Sequence, residues 1–289
     1  MTETNRILVA GGMGRLGQAL ARQGCRALGR DRMDITNPTQ LASVIEQTAP
    51  SVIINAAAYT AVDHAEAEPE TANRINATGA GLLARLAAVA GIPLIQVSTD
   101  MVFSEGDPGE PKRESAWTAP TSVYGASKLE GETLVRSAGG RHLVTRVSWL
   151  FSDEGESFIT KILAHGAKNA ELKLVDDETG RPTHVDALAS QLVALAAKLA
   201  KGESLPGVLH LGPPNPVSRF GWAEQVFAAA AKAGGPSPAL TPVPGSAFET
   251  PAPRPRGVVL DVSAAERLLG PMPDWRAASD EVVRLALKA

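Results

Sequence analysis

One cysteine in 289 residues, Cys25, leaves no partner for an intrachain disulfide and no multi-cysteine zinc site, which suits a reducing compartment. Cys25 itself reads as a small core residue. Charge of neither sign dominates: 28 Lys and Arg against 31 Asp and Glu leave a net charge of -3. No basic stripe of the kind that neutralises a phosphate backbone is present, so nucleic acid is not an expected partner. No apolar run reaches the length of a membrane span, and the alanine-rich helical stretches are broken by charges. Residues 1–6 lack the charged-then-apolar order of a signal peptide, and the expectation is a cytoplasmic protein without a membrane partner. The five histidines, His64, His142, His165, His184 and His210, show no ligand-like spacing, so no metal site is expected. Glu66, Glu68 and Glu70 read as solvated residues at a helix N-terminus rather than a cation site.

What is present is a 44% hydrophobic chain, enough for a substantial core. Short apolar runs at 6–10, 25–28, 51–55, 92–98 and 143–148 predict strands, and periodic stretches at 15–23, 38–48, 68–90 and 123–136 predict helices. Asn37 followed by Pro38 is a helix start. Strands alternating with helices imply right-handed crossovers and a parallel sheet covered on both faces. Beyond about residue 150 the rhythm changes, with helices at 157–165, 185–201 and 219–234 and a strand at 207–212. The Pro-rich stretch 236–255 lacks periodicity but contains Val243 and Phe248, and is read as an ordered loop over a ligand.

Three motifs carry chemistry. Gly11-Gly12-Met13-Gly14-Arg15-Leu16-Gly17 lies between the first strand and first helix, where residues without a Cβ let backbone N–H groups at a helix N-terminus approach a pyrophosphate. The spacing is GxxGxxG rather than the usual GxGxxG. After the second strand, where an acidic residue would bond a ribose hydroxyl, the chain has Arg30, which suits a 2′-phosphate; NADPH is favoured and NADH stays open. Asp34 and Ile35 are placed to flank the adenine. Finally, Tyr124 and Lys128 stand four residues apart on a helix, hence on one face, after a strand that ends in Ser98-Thr99-Asp100. A neighbouring ammonium is expected to lower the phenol pKa.

These residues resemble the extended short-chain dehydrogenases, and within them the dTDP-4-dehydrorhamnose reductases. The resemblance runs through Asn55-Ala56-Ala57-Ala58-Tyr59-Thr60-Ala61-Val62-Asp63 with Glu66, through Ser98–Phe103, Tyr124–Glu132 and Arg146–Phe151, and on to Gly180–Thr183, Gly207–Leu211 and Arg254-Pro255. It implies a Rossmann-type doubly wound α/β fold with a smaller C-terminal α/β substrate domain. Residues 1–150, with about 184–212 returning to them, would hold the dinucleotide, and about 151–183 with 213–289 the substrate. The implied reaction is reduction of the 4-keto group of a dTDP-4-keto-6-deoxysugar. Thr99 would bond the carbonyl, Tyr124 supply the proton, and Lys128 tune Tyr124 and hold the ribose. Ala56, Ala57, Ala58 and Tyr59 would meet the cofactor. Thr60, Asp100, Met101 and Trp149 would meet the substrate, with Arg254 on its diphosphate. A monomer or homodimer is expected.

Two positions depart from the family pattern: Met101 stands where a tyrosine is usual and Ser122 where an asparagine is usual. Both resemble substrate-side contacts, so another 4-keto sugar or nucleotide remains open. A sugar-nucleotide dehydratase is disfavoured because Met101, beside Asp100, cannot transfer a proton. An epimerase would retain tightly bound NAD, whereas Arg30 points to exchangeable NADPH. A non-catalytic binding subunit, like the regulatory partner of methionine adenosyltransferase, has no need of Thr99, Tyr124 and Lys128 together.

Overall fold

Four consecutive apolar residues, Ile7–Ala10, form the first strand, β1, and all are buried because helices cover both faces of the sheet they begin. The structure, a computed structural model, describes residues 3–288. From β1 the chain runs through α1 (Arg15–Arg22), β2 (Arg26–Leu28), α2 (Pro38–Thr48), β3 (Val52–Asn55), α3 (Val62–Ala67), α4 (Pro69–Asn73), α5 (Ala80–Val89), β4 (Leu94–Thr99), α6 (Val123–Ser137) and β5 (His142–Val147). It continues through β6 (Leu150–Phe151), α7 (Phe158–Gly166), β7 (Glu171–Val175), β8 (Thr179–Gly180), β9 (Thr183–His184) and α8 (Val185–Ala200). The last elements are β10 (Val208–His210), β11 (Val217–Ser218), α9 (Arg219–Lys232), β12 (Ala239–Val243), α10 (Ser263–Leu269) and α11 (Trp275–Ala286).

The main sheet has the order β10-β5-β4-β3-β1-β2, and every neighbouring pair is parallel. One face buries Leu16 and Leu20 of α1 with Val185, Leu192 and Leu195 of α8. The other buries Leu41 and Ile45 of α2, Leu83 and Ala87 of α5 and Val135 of α6. This is the doubly wound parallel α/β sheet that the alternation implies. The chain leaves β1 towards β2 and returns on the other side at β3, so the strand order reverses between β1 and β3. A crevice opens at such a point, outside the carboxyl ends of the strands.

The helix starts follow their sequence signals: Asn37 Oδ1 accepts from Gln40 N at 3.1 Å, with Pro38 as the first helical residue. The stretch 68–90, read as one helix, instead passes through a π-helical turn at Arg74–Gly79 between α4 and α5. That turn presents Asn76 to the loop after β3, the kind of local widening that recurs at functional sites. The Pro-rich stretch is ordered as expected, but it contains a strand: β12 pairs in parallel with β7, Ala239 opposite Glu171 through Val243 opposite Val175. Pro242 is tolerated there because a two-stranded sheet has only edge strands. A third apolar cluster joins Phe151, Ile159 and Ile162, Trp222 and Phe227, and Trp275, Val282 and Val283, so α7, α9 and α11 share a core of their own. Among the described residues no helix is long and apolar enough to cross a membrane.

Candidate active site

The crevice is a single cleft of about 1010 Å³. Gly11, Gly14, Arg15, Leu16 and Gly17 line it from the β1–α1 turn, Arg30, Asp34 and Ile35 from beyond β2, and Ala56, Ala57, Ala58, Tyr59 and Thr60 from beyond β3. Thr99, Asp100 and Met101 enter from the end of β4, Tyr124 and Lys128 from α6, Trp149 from beyond β5 and Arg254 from the C-terminal region. The residues expected to act on or bind the cofactor and substrate therefore line the same space, Ser122 excepted. Ser122 does not line it; its side chain caps α6 by accepting from Gly125 N at 3.1 Å, so its role is to start that helix rather than to touch a ligand.

The glycine turn is built for close approach. Gly11 has φ +84°, and a Cβ there would stand 2.6 Å from Ala57 N; a Cβ on Gly17 would stand 2.2 Å from Gly11 O. The N-cap of α1 is Gly14 and no side chain caps it, so the first N–H groups of the helix face the cleft with the positive end of the helix dipole. A dinucleotide pyrophosphate fits this cradle. Arg30 is mostly exposed and its Nε donates to Asp34 Oδ2 at 3.0 Å. Asp34 also accepts from Thr36 N at 2.9 Å and Thr36 Oγ1 at 2.7 Å, contacts that hold its carboxyl below the usual range against the effect of desolvation.

The loop after β3 is pinned by amides. Asn55 Oδ1 accepts from Ala57 N at 3.1 Å, and its Nδ2 donates to Gln96 Oε1 at 2.8 Å. Asn76 Oδ1 accepts from Tyr59 N at 2.8 Å, while Asn76 Nδ2 donates to Tyr59 O at 3.1 Å and to Ser127 Oγ at 3.0 Å. Asn76 thus ties residues 56–60 to the helix that carries Tyr124 and Lys128.

Thr99, Tyr124 and Lys128 meet on one wall. Thr99 Oγ1 donates to Asp100 Oδ1 at 3.0 Å, and the Tyr124 phenol is near enough to both residues for each to act on its titration. Lys128 Nζ donates to Val97 O at 2.7 Å. Burial sets the protonation states: it pushes Tyr124 up to about 12 and Lys128 down to about 8, with the Glu132 carboxylate opposing the second shift. The phenol is raised rather than lowered as the sequence suggested, because desolvation outweighs the other effects and the Lys128 ammonium is directed at Val97 O. The phenol is protonated at neutral pH and so carries a proton to give, although the raised value makes it a weaker acid than a free phenol. Burial also raises Asp100 to about 6.

Several contributors were missed in the sequence. Glu132, a third residue at the four-residue spacing of Tyr124 and Lys128, accepts from Ser98 Oγ at 2.6 Å and pairs with Arg146 at 2.7 Å. That spacing was a usable signal. Arg219 gave none: its guanidinium carbon lies 3.5 Å from the Trp149 ring centroid, across 70 residues of sequence. Trp149 has φ +50°, an uncommon conformation for a bulky residue. Arg254 reaches the cleft, but its Nη2 donates to Asp63 Oδ2 at 2.8 Å. Away from the cleft, ligand atoms of Asp153, His184 and Asp186 lie within 4.8 Å of one another; His184 already contacts Asp153 at 3.0 Å and Arg22 pairs with Asp186 at 2.7 Å.

Residues 5–287 match the model of the family described as RmlD substrate binding domain. A dTDP-4-dehydrorhamnose reductase of Sinorhizobium fredii is 36% identical over 286 residues, covering 96% of each chain. The solved dTDP-4-dehydrorhamnose reductase of Clostridium acetobutylicum superposes with a TM-score of 0.86 at 30% identity, covering 98% of this chain and 99% of the other. The Bacillus anthracis reductase, solved in complex with NADP, gives 0.83 at 30% identity with the same coverage. The full-length coverage and the identity level agree, and this chain belongs to the RmlD substrate binding domain family, that of the dTDP-4-dehydrorhamnose reductases.

Proposed function

We propose that the chain uses NADPH to reduce the C4 keto group of a dTDP-4-keto-6-deoxysugar, with dTDP-4-dehydro-L-rhamnose the substrate and dTDP-L-rhamnose the product. The observation that carries this is the wall formed by Thr99, Tyr124 and Lys128 in a cleft that also contains the Gly11–Gly17 cradle. Residues 1–150 with about 184–212 hold the dinucleotide, and about 151–183 with 213–289 hold the sugar nucleotide.

The nicotinamide supplies a hydride when bound. Gly11, Gly14 and the N-terminus of α1 bind the pyrophosphate, with Arg15, Leu16 and Gly17 beside it. Arg30 takes the 2′-phosphate, Asp34 and Ile35 flank the adenine, and Ala56 to Tyr59 line the cofactor side of the loop after β3. Negative charge develops on the ketone oxygen as the carbonyl is reduced, and donors already aimed at it lower that barrier most. Thr99 Oγ1 orients the oxygen and Tyr124 Oη delivers the proton. Lys128 keeps its ammonium beside that wall and holds the ribose. Thr60, Asp100, Met101 and Trp149 shape the sugar side, and Arg254 lies towards the diphosphate. Met101, an apolar side chain beside Asp100, leaves no second proton carrier of the kind an elimination requires.

Purified protein supplied with NADPH and dTDP-4-dehydro-L-rhamnose tests the reading. NADPH absorbance should fall in proportion to the sugar added and dTDP-L-rhamnose should accumulate. No consumption with this or any other 4-keto sugar nucleotide would contradict it.

A further inference from the structure

Trp149 is held in its left-handed conformation from both sides. Ser148 Oγ exchanges hydrogen bonds of 3.1 Å with Arg181 N and O, and Thr183 N donates to Trp149 O at 3.1 Å. A bulky residue persists in such a conformation only where its surroundings over-determine it, and places of that kind cluster at ligand clamps. The indole lies flat against Gly180, where a Cβ would stand 2.5 Å from Trp149 Cε2. It also stacks on Trp222, ring centroids 5.9 Å apart, and meets Arg219, the first residue of α9, whose guanidinium carbon sits 3.5 Å from the ring centroid. Phe158 and Trp222 complete the aromatic floor, with ring centroids 5.3 Å and 5.9 Å from the same carbon. Glycine, tryptophan and arginine thus form a stack that seats one guanidinium against the indole.

The guanidinium is seated but poorly satisfied. Its acidic neighbour at ion-pair distance among the described residues is Glu178, and Nε to Oε2 is 3.7 Å, beyond hydrogen-bond range. Its backbone N–H, not its side chain, makes the close contact to this segment, donating to Glu178 O at 3.1 Å. Arg254 is different: Nη1 donates to Ala252 O at 2.9 Å and Nη2 to Asp63 Oδ2 at 2.8 Å, so its fork is already engaged. Arg219 also feels the charges of Arg254 and of Asp100, next to Thr99, with which it lines the cleft. Two guanidinium groups close enough to repel are relieved by an anion between them.

Position completes the case. Arg219, Phe158, Glu178 and Arg254 line both the catalytic cleft and a second cavity of about 800 Å³ next to it. A ligand that runs from Thr99 and Tyr124 into the second cavity must pass this stack. Resting on the proposed function, we infer that Arg219, set on Trp149 and Gly180, is the principal ligand for the diphosphate of the nucleoside-diphosphate sugar. Arg254 is the secondary one, released from Asp63 to join it. A planar fork with its donors in place suits phosphate oxygens, and its seat against the indole reduces the ordering cost of binding.

Calorimetric titration with dTDP and with thymidine, on wild type, R219Q and R219K, separates this from its alternatives. Wild type should bind dTDP more tightly than thymidine. R219Q should weaken dTDP by about tenfold or more, the range of a lost charge-assisted pair, and leave thymidine and NADPH affinities unchanged. R219K keeps the charge but loses the fork and the stack, and should fall between the two. If R219Q binds dTDP as wild type does, or loses dTDP and thymidine equally, Arg219 is not the diphosphate ligand while the reductase reading stands. If wild type binds no dTDP, the proposed function fails and takes this inference with it.

Discussion

Arg146 on β5 and Glu132 on α6 form a doubly hydrogen-bonded pair, Nη2 to Oε2 at 2.7 Å and Nε to Oε1 at 2.9 Å, with both side chains almost wholly out of water. The pair joins the sheet to the helix that carries Tyr124 and Lys128. Glu132 lies one turn beyond Lys128, and Arg146 Nη1 lies 3.4 Å from His210 Nε2. Burial and the Arg146 charge push that imidazole down to about 3, so it stays neutral.

Removing one partner leaves the other charge buried and unpaired. The variant R146M should lose about 3–5 kcal/mol of stability, read as a large drop in melting temperature. A melting temperature equal to that of wild type would show that the pair is not what fastens α6 to β5.

Tyr124→Phe deletes the phenolic proton and little packing. Turnover should fall by about 10²–10⁴-fold, the usual contribution of a positioned proton donor, with NADPH affinity unchanged. Near-wild-type NADPH consumption in a stopped-flow assay would remove Tyr124 from the mechanism.

The four-residue spacing of Tyr124 and Lys128, the glycine turn after an apolar strand and Thr99 at a strand end were all legible, because helix and strand periodicities decide which side chains share a face. Glu132 was legible by the same rule and was missed. Arg219 was not legible: it meets Trp149 and Glu178 only after β8 and β11 pair, Val217 opposite Gly180. The parallel pairing of residues 171–175 with 239–243 left no local signal either, since Pro242 reads as a break. Neither the π-helical turn that turns Asn76 to the loop nor the upward shift of Tyr124 follows from sequence, because both depend on packing around the group concerned.

Asp100 gives a pH test with a definite sign. Burial raises its carboxyl from 3.8 to about 6, so between these values the folded chain binds a proton that the unfolded chain has lost. Stability then falls as pH rises through that window and stays lower above it. Asp100→Asn removes the penalty. The variant should be more stable than wild type at pH 8 by about 2–3 kcal/mol and no more stable at pH 4, as measured by denaturant titration. An equal difference at the two pH values would mean that the carboxyl does not titrate in this way.

Arg30 is the residue proposed to read the 2′-phosphate. Arg30→Ala should weaken NADPH by about tenfold, as expected for one charge-assisted contact, and should leave NADH nearly untouched. Equal losses for both cofactors in fluorescence titrations would assign Arg30 a role in holding Asp34 instead.

The most direct test follows the hydride itself. NADPH carrying deuterium at the transferable C4 position of its nicotinamide is incubated with the protein and dTDP-4-dehydro-L-rhamnose, and the product is examined by mass spectrometry and proton NMR. The expected result is one deuterium per sugar, located at the sugar C4, with none transferred by Tyr124→Phe above its residual rate. Deuterium at another carbon, or a product that carries none, would contradict a C4 ketoreduction at the wall of Thr99, Tyr124 and Lys128.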